Sequence, residues 1–228
     1  MDTNIIVPTT TALPQAREAI NITAPNMRIL VATLIGTAPL VTARFAAKAM
    51  AQMMEKQKAG SVAGKGKKRA AKDFDEAFEG AKHIAEEGWC GVHAGAFRNA
   101  LISACRLVGF KMTIAKLSLF VVADGYEALD NTPLVRIIGP DPKRTDMPVR
   151  NATGVIDIRT RPMWPEWSMR LRVRYDADQF SAADVTNLLS RVGEQVGIGE
   201  GRADSKSSAG VGWGHFRVVA ETDMEATP

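Results

Sequence analysis

The chain has 228 residues, of which 46% are hydrophobic, and a formal net charge of +4 at pH 7. This composition indicates a globular protein with an apolar core, and the positive balance favours polyanionic partners without specifying a fold. The composition argues against a membrane span, because the longest apolar run (29–35) is far shorter than the ~20 residues of a membrane helix, and against a disulfide framework, because only Cys90 and Cys105 are present.

Residues 1–26 are rich in Thr, Pro and Asn and have no sustained period, which predicts an arm outside the folded domain. No basic region followed by an apolar run opens the chain, so we expect no secretory signal and a cytoplasmic location. The apolar run 27–35 predicts the first core strand, and helix formers at 43–58 predict a helix that ends at Gly60.

The stretch 60–72 is basic and glycine-rich, a composition that favours a mobile loop. It is either a solvated linker or a source of sequence-independent attraction to phosphates. Its candidate contacts are Lys65, Lys67, Lys68 and Arg69.

The middle of the chain alternates helix and strand patterns. An apolar stripe through Phe97 and Leu101 predicts a helix over 97–108, with Arg98 on another face, and His83 falls in a segment that we interpret as a charged helix. Residues 117–122 and 134–138 predict strands. The Pro and Asp content of 139–148 predicts an exposed loop that presents Lys143 and Arg144.

A strict alternation of apolar and basic residues follows at 167–175, and a second alternation covers 155–161. A period of two is typical of strands with one buried and one open face. With a turn at 162–165, the two segments predict an antiparallel hairpin. One face would then carry Arg159, Arg161, Arg170, Arg172 and Arg174, either as an ordinary solvated face or, since acidic neighbours are scarce, as a surface that follows phosphates.

The last third of the chain predicts a helix, a glycine-rich loop and a strand in that order. Ser181 and Asp184 have the spacing of a capping box before an apolar stripe at 185–196, and 215–220 reads as a final strand. We therefore predict an α+β, ferredoxin-like (RRM-like) fold over 27–220, with an antiparallel sheet, helices on one of its faces and a helical insertion at 43–90. Residues 221–228 are expected to form a disordered tail.

The glycine-rich loop spans 197–214 and fits neither common phosphate-binding motif. It lacks the Gly-Lys-Ser/Thr ending of an NTPase loop, and it follows a helix, whereas the glycines of a dinucleotide fingerprint precede one. The glycines either satisfy unusual backbone angles or let the backbone approach a ligand closely. Trp213 is correspondingly either a core residue or a stacking surface for a base.

The loop and the segment Gly91-Val-His-Ala-Gly-Ala-Phe-Arg-Asn-Ala-Leu101 together resemble the RAMP superfamily, the RRM-like subunits of CRISPR effector complexes. The chain departs from the family pattern by lacking a proline in the turn, where Val92 and His93 stand, and by having Gly95 and Ala96 in place of a hydroxyl pair. It is also similar to bacteriophage proteins, which implies the cytoplasm of a bacterial host cell.

The resemblance implies a protein that binds single-stranded RNA or DNA with little sequence preference and assembles side by side along the strand as a homo-oligomer or filament. The expected contacts combine the basic residues above with the glycine loop. In the loop they are Gly199, Gly201, Arg202, Lys206, Gly210, Gly212 and Trp213. The competing interpretation is a phage structural protein or a mimic of a CRISPR subunit that binds protein instead.

We expect no enzymatic activity and no cofactor. The resemblance offers His93 as the base or acid of a metal-independent ribonuclease, but its neighbours fit a packed or capping histidine equally well. The acidic run 73–76 suggests a helix start rather than a metal site, and no Cys/His spacing matches a zinc site.

Overall fold

The computed structural model describes residues 22–45, 47–58, 73–150, 156–204 and 210–219, and within these ranges the protein is a mixed α+β structure with three antiparallel sheets. The strands are β1 (Met27–Gly36), β2 (Leu40–Val41), β3 (His83–Ile84), β4 (Cys90–His93), β5 (Leu119–Val122), β6 (Gly125–Tyr126), β7 (Pro133–Arg136), β8 (Lys143–Arg150), β9 (Ile156–Trp164), β10 (Ser168–Asp176) and β11 (Phe216–Val219). The helices are α1 (Ala47–Lys58), α2 (Phe74–Glu79), α3 (Ala94–Leu107), α4 (Met112–Ser118) and α5 (Ala182–Arg191), and a π-helical turn (Val192–Val196) follows α5.

The main sheet has the strand order β11-β1-β10-β5, and its centre is the long antiparallel pair β1 and β10. Their side chains alternate between two faces: Leu34 lies opposite Met169 on the buried face, whereas Thr33 lies opposite Arg170 on the open one. The predicted strand at 27–35 and the alternation at 167–175 are therefore confirmed.

Two helices pack on the buried face of this sheet. In α3, Phe97, Leu101 and Cys105 are fully buried, and α5 buries the stripe that begins at Val185, as the apolar spacing predicts. The capping box at the start of α5 is confirmed, and the hydrogen bonds that Ser181 donates hold the pKa of the Asp184 carboxyl below its ordinary value.

Both cysteines are free thiols, as the sequence indicates. Burial raises the pKa of the Cys105 thiol to about 11, so this thiol stays protonated and unreactive near neutral pH.

The predicted hairpin between 155–161 and 167–175 is wrong. Strand β9 pairs with β8 and β2 in a separate sheet, while β10 pairs with β1 and β5, so the five arginines do not share one face. Residues 162–164 belong to β9 instead of a turn, and the expected loop at 139–148 contains most of β8. The exposed strand β8 tolerates Pro148 because an edge strand leaves one side of its backbone unpaired.

In its described part, the insertion between β2 and β4 contains two helices, although α1 begins at Ala47 rather than at residue 43. Asp73 caps α2 by accepting hydrogen bonds from Asp75 N–H and Glu76 N–H, which confirms the helix start at the acidic run. His83 lies in β3, so its assignment to a helix is wrong. Most of the arm, the tail and the basic stretch 60–72 lie outside the described residues.

The third sheet, in the order β3-β4-β7-β6, is tied to the insertion by a buried carboxylate. The Glu127 side chain is only 2% exposed; one oxygen contacts Arg44 Nε, and the other lies 2.9 Å from His83 Nδ1. Arg44 is itself 10% exposed. Burying a carboxylate and a guanidinium is tolerable because each neutralises the other.

Replacing Glu127 by Gln should therefore destabilise the protein by about 3–5 kcal/mol, because it leaves the buried Arg44 charge without its counter-ion. Glu79→Gln is the matched control, since Glu79 is 61% exposed in its pair with Lys82 and such pairs contribute at most about 1 kcal/mol. Urea unfolding of the two variants measures the difference. Equal stabilities would show that Arg44 does not depend on Glu127.

Candidate functional site

The glycine-rich loop begins as a fixed structure on β2. Glu200 N–H donates to the Val41 carbonyl (2.8 Å), Gly214 N–H donates to the Pro39 carbonyl (2.8 Å), and Ile198 N–H donates to the Gly214 carbonyl (3.1 Å). Gly214 has φ +72°, and a Cβ there would lie 1.8 Å from the Ile198 oxygen. The first of the two roles considered for the loop glycines, the satisfaction of unusual backbone angles, is thus confirmed at Gly214.

Crowding differs among the other described residues of the loop. Trp213 is half-buried with its ring against Gly201, where a Cβ would lie 2.5 Å from the indole, so the residue combines a packed face with a partly open one. Gly210 and Gly212 have positive φ but open space around the Cβ position. Lys206 lies outside the described residues.

A cleft of about 320 Å³ separates the glycine loop from α3. His93, at the first turn of α3, caps the helix: its Nδ1 accepts a hydrogen bond of 2.7 Å from Gly95 N–H, as the capping alternative predicts. Gly199 and Arg202 form the opposite wall. The structure thus brings together the helix turn and the glycine loop that carry the resemblance in the sequence.

A second, adjoining cleft of about 540 Å³ shares His93, Gly199 and Arg202 with the first and extends to His83 and Arg159. We refer to the two together as the glycine-loop cleft. Strand β9 and the glycine loop both bind to β2, and this brings together residues that are far apart in the sequence.

Most charges in the glycine-loop cleft have internal partners. Glu200 lies 2.5 Å from Arg161 Nε and 3.6 Å from Arg159 Nη1, so one carboxylate meets two arginines. Arg202 donates to the carbonyls of Gly199 (2.9 Å) and Asp204 (3.0 Å) and so holds the loop in shape. The cleft is therefore polar and nearly balanced in charge rather than strongly basic.

The open face of the main sheet differs in charge. Arg170 and Arg174 are exposed, and neither forms an ion pair within the described ranges, whereas Arg172 binds Asp124 (3.0 Å). The Arg174 guanidinium lies 5.1 Å from the centre of the Phe120 ring, within the range of a cation–π contact. We call this surface the open sheet face; it includes Ile29, Val31, Thr33, Phe120, Val122, Arg170, Arg172, Arg174 and Arg217.

Of three other predicted contacts, Arg98 lies at the edge of the open sheet face and shares the Phe120 ring with Arg174, whereas Lys143 and Arg144 lie away from both surfaces. Arg98 donates to the carbonyls of Leu119 (3.1 Å) and Lys116 and stacks over Phe120 at the sheet edge. Arg144 binds Asp75 (2.7 Å) and Asp146 (3.1 Å), and Lys143 stands beside it at the base of the β8–β9 hairpin. The cations at 65–69 lie outside the described residues.

Sequence reasoning missed Phe120 and Arg217 on the open sheet face. Both have a periodic signal: Phe120 alternates with the buried Leu119, and Arg217 alternates with the buried Phe216. Strands of four residues are too short for alternation to identify a face by itself.

Comparison with protein-family models gives no match, and no curated protein matches the chain. In the part of the chain that the structure describes, no group of three or more His, Cys, Asp or Glu side chains could hold a metal ion. No described helix has the length and apolar character needed to cross a bilayer.

The fixed glycine loop leads to a test with two matched glycines. Gly214→Ala and Gly212→Ala both place a side chain at positive φ, which costs about 1–2 kcal/mol, but only Gly214→Ala also drives a methyl group into a backbone oxygen. We expect the Gly214 variant to be destabilised by at least about 2 kcal/mol more than the Gly212 variant in urea unfolding. Equal losses would mean that the loop shifts freely to make room.

Proposed function

We propose that this protein is a non-enzymatic binder of single-stranded nucleic acid with little sequence preference. The observation that carries the proposal is the open sheet face, where Arg170 and Arg174 have no acidic partner among the described residues and Arg174 lies opposite the exposed Ile29. Arginines without counter-ions attract phosphates at any sequence, and the release of counter-ions makes such binding depend steeply on salt.

The aromatic and aliphatic members of the face suit unpaired bases. Phe120 is half-buried beneath Arg174, and Ile29 is 59% exposed. Bases of a single strand stack on aromatic rings and on guanidinium planes, and every base has such a face to offer. A duplex keeps its bases stacked inside the helix and offers this face only phosphates, so we expect a preference for single strands.

The architecture supports a ferredoxin-like assignment and, with it, the RAMP resemblance. The main sheet follows the order of fourth, first, third and second strand if β1, β5, β10 and β11 are counted along the chain, and α3 and α5 are the two connecting helices on one face. This is the order of the βαββαβ fold. The position of the first-helix turn across a cleft from the glycine loop also supports the resemblance.

Assembly along the strand is part of the proposal. The β8–β9 hairpin carries exposed apolar side chains at Ile156 and Ile158, and Leu117 on α4 is 77% exposed. Apolar surface on elements at the edge of a molecule is typical of contacts with neighbouring subunits.

A second candidate function is binding to another protein through the open sheet face. The exposure of Ile29 favours it, because an aliphatic patch on a sheet is equally suited to a protein partner. The arginines would then meet acidic side chains instead of phosphates.

Changing Arg170 and Arg174 to Glu should weaken binding of single strands of every sequence and flatten the plot of log affinity against log salt by roughly 1.4, about 0.7 for each lost phosphate contact. Fluorescence anisotropy with labelled oligonucleotides, at salt concentrations between about 50 and 300 mM, measures both effects.

Arg174→Glu alone is compared with Arg191→Glu as its matched control, because each exchanges one exposed arginine for glutamate and Arg191 lies on α5, on the other side of the sheet. An unchanged salt slope in the double variant would remove the open sheet face from the proposal. A loss of equal size in the Arg191 variant would reduce the effect to net charge.

Purification without nuclease treatment tests assembly. We expect a large particle with nucleic-acid absorbance that collapses under RNase or DNase, because a coated strand holds its subunits together. A particle of fixed size that does not bind single strands even at low salt would favour the protein-binding function.

Labelled RNA should stay intact at saturating protein with or without chelator. Cleavage would contradict the non-enzymatic assignment.

A further inference from the structure

Strand β1 has an edge that its neighbours leave partly open. It is ten residues long, but β11 pairs with only four of them, from Gly36 opposite Phe216 to Thr33 opposite Val219. Residues 27–32 have no neighbouring strand on that side within the described ranges, although β10 pairs with them on the other side. An unpaired edge of this kind is a template for a further strand.

The hydrogen bonds at the end of β1 show which backbone groups point towards the open edge. Gly36 N–H donates to the Trp167 carbonyl beside β10 (2.8 Å), whereas Thr37 N–H donates to the His215 carbonyl on the β11 side (2.9 Å). Successive residues of a strand point their backbone groups to opposite sides. The N–H and C=O groups of Ile29 and Val31 therefore point towards the open edge.

The chain reaches this edge at the end of β11. Because Val219 lies opposite Thr33, residue 220 follows at the point where the unpaired part of β1 begins. Residues 220–225 lie outside the described ranges. If the antiparallel register of β11 continues, they lie opposite residues 32–27 in turn, so that six residues meet six unpaired ones.

The sequence of this segment has the period of a strand. In Ala220-Glu-Thr-Asp-Met-Glu225 the three acidic residues occupy every second position, and the residues between them carry no charge. In the continued register Glu221 lies opposite Val31 and Asp223 lies opposite Ile29, and both of these β1 residues belong to the open sheet face. The acidic side of the segment would therefore lie on the face that carries the arginines.

The open sheet face supplies the complementary charge. Val31 lies opposite Arg172 and Ile29 lies opposite Arg174, so the segment would run two strand spacings, or about 10 Å, from these arginines. Opposite charges attract at this separation, since the Debye length is also about 10 Å at 0.1 M salt. Arg174 forms no ion pair among the described residues, and Arg217 precedes the segment on β11 itself.

We propose that residues 220–225 extend β11 along the open edge of β1 and that their carboxylates compete with phosphates for the open sheet face. The segment is tethered beside its site and therefore has a high effective concentration there. Acidic residues have low strand propensity, in keeping with the disordered tail that the composition predicts, so the pairing is reversible. The competition rests on the proposed binding of single strands, whereas the pairing does not.

Hydrogen exchange of the full chain tests the pairing in the absence of nucleic acid. We expect the amides of Ile29 and Val31 to exchange at least about tenfold more slowly in the unchanged protein than in the variant Asp223→Pro, because proline at this position removes an N–H that bonds to β1. The Leu30 amide points towards β10 and is the internal reference, since its exchange stays slow as long as the main sheet is intact.

Thr222→Pro is the matched control, because the N–H that it removes points away from β1 in the same register and an edge strand tolerates proline there. Equal exchange of Ile29 and Val31 in the unchanged protein and in Asp223→Pro would overturn the inference, whether or not the protein binds single strands. Protection that disappears when the protein is diluted would also overturn it, since the segment of a second copy would then occupy the edge.

Fluorescence anisotropy with a labelled single strand at about 50 mM salt tests the competition. The double variant Glu221→Gln, Asp223→Asn should bind about fivefold more tightly than the unchanged protein, as expected if the segment covers the face in roughly four-fifths of the molecules. Glu55→Gln, Glu194→Gln is the matched control, because it removes two exposed acidic charges on α1 and the π-helical turn, outside the open sheet face.

Equal gains in affinity in the two double variants would reduce the effect to net charge and overturn the competition. Unchanged affinity in Glu221→Gln, Asp223→Asn would overturn it as well. Failure of every form to bind single strands at low salt would overturn the proposed function, and the exchange of Ile29 and Val31 would still decide the pairing.

Discussion

The register between β1 and β10 is the constraint on which both the core and the candidate surface depend. Nine residue pairs, from Met27 opposite Asp176 to Ile35 opposite Ser168, assign each side chain of the two strands to one of two faces. The face that carries Leu171 and Val173 meets α3 and α5, so the arginines that alternate with these residues must lie on the other face. A slip of one residue would bury Arg170, Arg172 and Arg174, and the cost of burying those charges holds the register.

A second constraint is the close approach of the glycine loop to β2. The loop donates hydrogen bonds to Pro39 and Val41, and Gly199 permits this approach because a Cβ there would lie 2.4 Å from the Val41 oxygen. Strand β2 is paired with β9 as well, so Glu200 of the loop forms an ion pair with Arg161 of β9. The walls of the glycine-loop cleft are thus positioned before any ligand arrives, which reduces the ordering entropy that binding must overcome.

The sequence predicted faces better than it predicted partners. Alternation identified the buried and open sides of β10, and the Ser181–Asp184 box located the start of α5, because both depend on residues close together in the chain. The same alternation at β9 led to the wrong partner, since a period of two shows which side chains share a face and is silent on the neighbouring strand. The true partner β8 was obscured by Pro and Asp residues, which favour turns but are tolerated on an edge strand.

Local patterns in the sequence were enough to predict the α+β composition of the fold, the core stripes of α3 and α5 and the arginine row of β10, because periodicity and capping involve residues that are close together in the chain. Other contacts depend on how distant elements pack. Packing places Arg159 and Arg161 beside Glu200 instead of in that row, and it brings Arg98 to the Leu119 carbonyl at the sheet edge. It also places Asn99 and Ser103 across a cleft from Asp204. These contacts join residues many positions apart, and their formation depends on how the elements pack, which no short-range pattern encodes.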